Sequence, residues 1–395
     1  MNKSVFSSCL LACLSLFTLS ACGNKQNEQE QNSPILTEKA IKRLIPARTI
    51  HREEWAKDIH SIMDDLKIEK NKSNVCSILA IVDQESNFVA NPAVPGLGEK
   101  AVKEVNNRLE EKFSEKLGQR FGKPVAQYFQ NVLKNQPSVE NSYLKQMHKV
   151  KTEKDLDLLY RQIFDYMTKH YHVSVLTSTA KFIGQDIGEK MNPITTLGSM
   201  QVQVKYAQDH LKESMNTYQL RDYLYTQYGG LYYGIHRLMM YNTDYNKPIY
   251  RFADYNSGIY SSRNAAFQKS LNTLTHQNLT LDGDLLVYDK NDKPLSQISD
   301  TQKVLMQLFT QNSLIITPRK IRDDLENEKQ EKFEQTDTYL AVQKLYKEKI
   351  GKTAPYAIMP QVIISGPKLS REYNTNWYAT RVNGRYESCM HRATR

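Results

Sequence analysis

Cysteine is scarce in this chain of 395 residues: there are five, and Cys9, Cys13 and Cys22 fall within the first 22 positions. Only Cys76 and Cys389 lie beyond them, and no cysteine and histidine spacing suits a metal site. His170-Tyr-His172 is the one close histidine pair, and it has no carboxylate or cysteine beside it. Long apolar runs are also missing after the first 22 residues, which leaves nothing of the length a membrane-spanning helix needs. Gly96-Leu-Gly98 lacks the strand-to-helix setting of a phosphate loop, and neither a nucleophile elbow nor an internal repeat is found. No cofactor and no metal is expected. Acidic residues fall short of basic ones, 43 against 53, for a net charge of +10. The excess is spread along the chain and suits a polyanionic partner.

What is present begins with a targeting segment. Lys3 gives a short positive start, and Val5 to Phe17 is an apolar stretch too short to span a bilayer comfortably, as in a signal peptide. It runs into Leu19-Ser20-Ala21-Cys22, which resembles the lipobox cleaved and acylated in bacterial lipoproteins. Residues 1–21 are therefore expected to be removed and Cys22 to carry the lipid, anchoring the protein without a membrane helix. Gly23 is not the aspartate associated with inner-membrane retention, so the expected place is the cell envelope, lipid-anchored, on the periplasmic face of the outer membrane. Export removes nucleic acid as a partner and leaves anionic wall polymers and membrane surfaces. An oxidising compartment permits Cys76 and Cys389 to pair, and two separately buried thiols are the alternative.

Residues 22–45 read as the lipidated cysteine and a tether, Gln- and Asn-rich at its start. Thr49 is placed to cap a helix in which Trp55, Ile59, Ile62 and Met63 recur at helical spacing. A second helix carries Val75, Ile78, Leu79 and Val82 on one face and ends near Glu85, since Pro92 and Pro95 forbid helix soon after. Residues 99–197 are mostly helical, with stripes at Val102, Val105, Leu109, Phe113 and at Leu156, Leu159, Ile163, Tyr166, punctuated by Gly118, Pro124 and Pro137. Helices fit 202–211, 220–241 and 249–274. The last part, 277–395, reads as a smaller α+β region. It holds a strand candidate at Leu285 to Tyr288, a capping box at Ser299 to Gln302 and a charged helix near 319–350. A hairpin would follow, its strands flanking Asn383-Gly384.

The stretch Ile78-Leu-Ala-Ile-Val-Asp-Gln-Glu85-Ser86-Asn-Phe88 resembles the Glu-Ser signature of lytic murein transglycosylases with the goose-type lysozyme-like (SLT) fold. Gly198-Ser-Met200-Gln201 and Ala253-Asp-Tyr255-Asn256-Ser-Gly258 follow in that family's order, and Gly230 to Leu238 is similar to the glycine-containing helix that it packs beneath its groove. An uncharacterised group of Gram-negative lipoproteins bearing this domain is a closer likeness. The resemblance implies a mainly α fold: a lysozyme-like domain at 46–276, with 99–197 as a long helical insertion that could roof the site. Residues 277–395 are not covered by the motifs.

Cleaving a glycosidic bond requires a proton on the leaving oxygen, and a glutamate supplies it near neutral pH when partial desolvation keeps it protonated. Glu85, at the end of an apolar helix face, meets that need. Hydrolases add a second carboxylate as nucleophile or base. By resemblance this chain would not: the N-acetyl group supports the cation, and the C6 hydroxyl of N-acetylmuramic acid closes a 1,6-anhydro ring. Carried over in the same way, Ser86 would orient the glutamate or touch substrate, Met200 and Gln201 would line the groove, and Tyr255 and Asn256 would bond Glu85 or the sugar. Asp83, two residues from Glu85, points away around the helix, and Asp254 should diverge from the groove-facing neighbours. Twelve of the 24 tyrosines fall between Tyr206 and Tyr260, where they can stack on sugars or fill the core. The partner expected is the peptidoglycan glycan strand. A non-catalytic wall-binding or scaffolding lipoprotein with the same fold is the alternative.

Overall fold

The computed structural model describes residues 35–170, 192–289, 292–364 and 372–394. Cys22, the tether up to residue 34, His172 and positions 171–191 of the helical block lie outside the described residues. Residues Leu36–Arg395 pack as one unit. It is mainly α-helical, and its strands are two short antiparallel pairs among the described residues.

The first three helices all contribute buried residues to one core. Helix α1 (Glu38–Leu44) starts at Thr37, whose side chain accepts from Ala40 N. Helix α2 (Arg52–Asp65) begins after His51 in a left-handed conformation. Thr49 is therefore not its cap: its backbone N–H closes a turn onto Pro46 O, which leaves the threonine buried ahead of the helix. Helix α3 (Lys72–Ser86) is capped by Asn71 and buried without a break from Val75 to Asp83. A helix enclosed on all sides belongs to the centre of a core rather than its surface. It stops at Asn87 and Phe88, both at positive φ (50° and 60°). Asn tolerates that conformation, whereas Phe88 is held there by its edge-on packing against Trp55, 5.4 Å between centroids.

Helices α4 (Leu97–Leu117), α5 (Gln119–Asn135), α6 (Tyr143–Lys149) and α7 (Glu153–His170) make up the helical block. Phe113, Phe129, Tyr160 and Phe164 meet at its centre, in one continuous core with α2 and α3. Pro124 does not break the chain and is accommodated inside α5. Strands β1 (Thr196–Leu197) and β2 (Val202–Gln203) then pair, Thr196 opposite Gln203 and Leu197 opposite Val202. Helices α8 (Val204–Asp209), α9 (Thr217–Leu224), α10 (Gln227–Met239), α11 (Pro248–Ser257) and α12 (Ser261–Thr275) follow.

From α12 the chain builds a second core with α13 (Asp300–Gln311), α14 (Pro318–Leu325), a 3-10 turn (Glu331–Gln335) and α15 (Asp337–Ile350). The capping box at Ser299 and Gln302 forms as expected. The expected strand at Leu285 to Tyr288 reduces to an isolated bridge between Tyr288 and Pro294. Its N–H and hydroxyl groups are drawn to Glu328 instead, which accepts from Leu285 N and Tyr288 Oη. The helix expected over 319–350 is broken in two, because buried Glu328 sits in the break.

Strands β3 (Ile363–Ile364) and β4 (Tyr373–Asn374) pair before the last element, α16 (Thr375–Ala393). This helix replaces the hairpin expected around Asn383-Gly384. Tyr378, Ala379, Val382 and Cys389 are its buried face, a helical spacing, and Asn374 caps its start. Burial along that face outweighs the turn preference of Asn-Gly. Helix α16 returns to the first core, against α3 and α11, and Cys389 forms a disulfide with Cys76 of α3. Among the described residues no helix is long and apolar enough to cross a membrane.

Candidate functional site

Glu85 occupies the last turn of α3, half-buried. Its carboxylate accepts a hydrogen bond from the Tyr378 hydroxyl of α16. Burial pushes the Tyr378 phenol well above its ordinary range, and the charge of Glu85 adds to the effect, so it remains a proton donor. Tyr255, on α11, is raised by burial as well. Arg237 opposes that shift, and the nearby Glu85 and Tyr206 reinforce it. The two tyrosines thus flank Glu85, one through a hydrogen bond and one through its field.

Tyr255 is held from both ends. Its hydroxyl donates to Met200 O at 2.7 Å, and its own carbonyl accepts from Arg237 of α10 at 3.1 Å. The Arg237 guanidinium also lies over the Tyr255 and Tyr206 rings, 5.4 and 5.5 Å from their centroids. Tyr206 shares a hydrogen bond with His236 Nδ1 at 2.8 Å, and burial followed by the neighbouring His210 lowers the His236 pKa to about 4. At neutral pH His236 is therefore a neutral imidazole, on the same wall as the Arg237 guanidinium.

The Gly198-Ser-Met-Gln201 segment is the loop of the β1–β2 hairpin, closed by Gln201 N to Gly198 O at 3.1 Å. Gly198 has φ 76°, and a Cβ there would meet Leu224 O at 2.4 Å and Gly230 Cα at 2.9 Å. A Cβ on Gly234 would meet Met200 Cβ and Sδ at 2.4 Å. Bare Gly198 lets the loop backbone approach Gly230 of α10, and bare Gly234 leaves room for the Met200 side chain, which is fully buried while its carbonyl accepts from the Tyr255 hydroxyl.

The expected site residues divide accordingly. Glu85, Met200 and Tyr255 are brought together. Gln201 turns aside: its Oε1 accepts from Thr196 at 2.9 Å, and its Nε2 donates to Glu153 of α7 at 3.1 Å. Ser86 donates to Val82 O within its own helix. Asn256 accepts from Thr375 at 3.4 Å, at the start of α16. Neither candidate second carboxylate is available. Asp83 binds Arg48 and lies 3.3 Å from Arg385. Asp254 is fully buried and accepts from Tyr245, Tyr241, Ser261 and the N–H groups of Tyr260 and Ser262, pinning the start of α12.

Tyr378 lies outside every motif, and Arg237 lies within the Gly230 to Leu238 stretch without being singled out there. The spacing of Tyr378, Ala379, Val382 and Cys389 was the available signal for the first. Among the described residues no three of His, Cys, Asp or Glu gather as a metal ion would require.

Among the described residues the arrangement offers a carboxyl group that accepts from one neutral phenol and lies near a second, which Arg237 contacts in turn. No solved structure matches the chain. "Uncharacterized protein YaiW" of Escherichia coli (strain K12) is 32% identical over 386 residues, 96% of this chain and 97% of that protein. The family described as "Protein of unknown function (DUF1615)" matches residues 48–392, a span that includes Glu85, Met200, Arg237, Tyr255 and Tyr378, and the chain belongs to that family.

Proposed function

We propose that the protein is a lytic transglycosylase of the cell envelope, tethered through a lipid on Cys22 at the periplasmic face of the outer membrane, with a lysozyme-like catalytic region. The observation that carries the reading is the convergence of Glu85, Met200 and Tyr255, from segments 55 to 170 residues apart, around one half-buried carboxyl group.

In the reaction proposed, protonated Glu85 gives its proton to the oxygen leaving C1 of N-acetylmuramic acid as that C–O bond breaks. The substrate's N-acetyl group supports the developing cation. The C6 hydroxyl then bonds to C1, and the Glu85 carboxylate takes the hydroxyl proton, so the acid is regenerated without water. Tyr378 positions the carboxyl, and Arg237 and Met200 O position Tyr255. No second carboxylate is called for, in keeping with the engagement of Asp83 and Asp254 elsewhere.

Digestion of purified sacculi with the mature protein, followed by mass spectrometry, is the test. Wild type should release 1,6-anhydro-muropeptides, and Glu85→Gln should reduce them by about two to three orders of magnitude, the scale of losing a general acid. Products with reducing ends, one water heavier, would replace this reading with hydrolysis. The alternative of a wall-binding lipoprotein without turnover draws on Gln201 and Ser86, whose polar groups are bonded within the protein. Equal sedimentation of wild type and Glu85→Gln with sacculi, with no fragments released, would favour it.

A further inference from the structure

An open cavity of about 520 Å³ is lined by Pro46, Arg48, Asp83 of α3, and Arg381, Gly384, Arg385, Ser388 and Arg392 of α16, and Glu85 is not among its lining residues. Four of these residues are arginines and one is an aspartate. The arginines of α16 follow each other at i, i+4 and i+11, with Ser388 between them on the same face, so the helix itself aligns them. Gly384 sits in that row with open space where a Cβ would stand, and its missing side chain helps to form the hollow.

Asp83 does not neutralise the cluster. It takes a hydrogen bond from Arg48, and Arg385 Nε lies 3.3 Å from its other oxygen. That Nε is buried and has no hydrogen bond. Arg392 spends its Nε and one terminal nitrogen on Leu44 O, at 3.0 and 2.8 Å. Burial lowers the pKa of Arg392, Asp83 works against the shift, and Arg48 adds to it. Exposed Arg381 makes no ion pair among the described residues and lies over the Trp377 ring, 5.1 Å from its centroid.

An excess of converging guanidinium groups around a hollow is costly to hold without a counter-charge, and their forked donors match the tetrahedral oxygens of a phosphoryl group. We propose that this cavity is a binding site for a phosphate-bearing ligand, either free in solution or presented as the headgroup of an anionic lipid. Arg381, Arg385 and Arg48 donate to the phosphoryl oxygens, and Gly384 leaves them room. The site is separate from the carboxyl group of Glu85 and does not depend on the activity assigned to it.

The test is calorimetric titration of the full chain with inorganic phosphate, using acetate at equal ionic strength as the reference. Wild type should bind phosphate and not acetate. Arg381→Gln should weaken binding by about tenfold, the scale of one lost charge-assisted hydrogen bond. Gly384→Met should weaken it by filling the hollow while every arginine is kept. Both positions are exposed, so thermal midpoints should stay within a few degrees of wild type, which separates lost binding from lost folding. Flotation with phosphatidylglycerol-containing and phosphatidylcholine-only vesicles, each challenged with phosphate, distinguishes the sources. Arginine-dependent binding to the former that phosphate displaces assigns a lipid headgroup, and phosphate binding without it assigns a free ligand. Absence of phosphate binding, equal affinity in wild type and both variants, or acetate bound as tightly as phosphate would overturn the proposal.

Discussion

The Tyr378 hydroxyl donates a hydrogen bond to Glu85 and keeps its proton, since burial and that carboxylate's charge suppress its acidity. A donor aimed at a carboxyl group favours the ionised form, so removing it should keep the acid protonated to higher pH. If Glu85 is the acid of the proposed reaction, Tyr378→Phe should move the alkaline limb of the pH–activity profile upward by about one unit, the equivalent of one hydrogen bond to a charged group. Anhydro-muropeptide release measured from pH 4 to 9 reads it. An unmoved limb with reduced rate would mean that Tyr378 only packs. This pairing was hidden in the sequence, since it joins positions 293 residues apart and one partner stood in a segment read as a hairpin. Glu85 was visible because its motif is local.

At the scale of elements, helices with one continuous apolar spacing were legible: α2 and α3 lie where Trp55 to Met63 and Val75 to Val82 placed them. Legibility failed where a tertiary partner overruled a local preference. Asn383-Gly384 favours a tight turn, yet the buried face of α16 claims it for a helix. Glu328 likewise draws Leu285 N and Tyr288 Oη out of a strand and interrupts the expected helix over 319–350. Burial raises that carboxyl from 4.5 to about 8, against the hydrogen bonds from Tyr288 and Leu285. The folded state therefore holds its proton more tightly than the unfolded chain does. The resulting stabilisation is complete below pH about 4.5 and is lost as pH rises through about 8, with a slope of at most about 1.4 kcal/mol per unit. Urea unfolding at pH 5, 7 and 9 should show wild type losing stability relative to Glu328→Gln across that window. Parallel curves for the two proteins would mean that Glu328 is ionised in the fold.

The whole molecule is a path that leaves one core, builds another and comes back. The second core, around Phe267, Phe309, Phe333 and Val342, is formed before α16 returns to the first, where Tyr378, Val382 and Cys389 are buried beside α3 and α11. The return is fastened by Cys76–Cys389, which closes a sequence separation of 313 residues. In the chain-entropy account a loop of that size stabilises the fold by about 5–6 kcal/mol, and native disulfides more commonly contribute about 2–5. The bond joins the helix that carries Glu85 to the helix that carries Tyr378, so its loss should act first on the candidate site. Cys389→Ser should lower unfolding stability by about 2–5 kcal/mol. In hydrogen exchange, α16 should lose protection while α13 and α15 keep theirs, because none of their core residues rests on α16. A uniform loss of protection would instead show that the two cores open together. The disulfide would then secure the unit as a whole rather than the contact between α3 and α16.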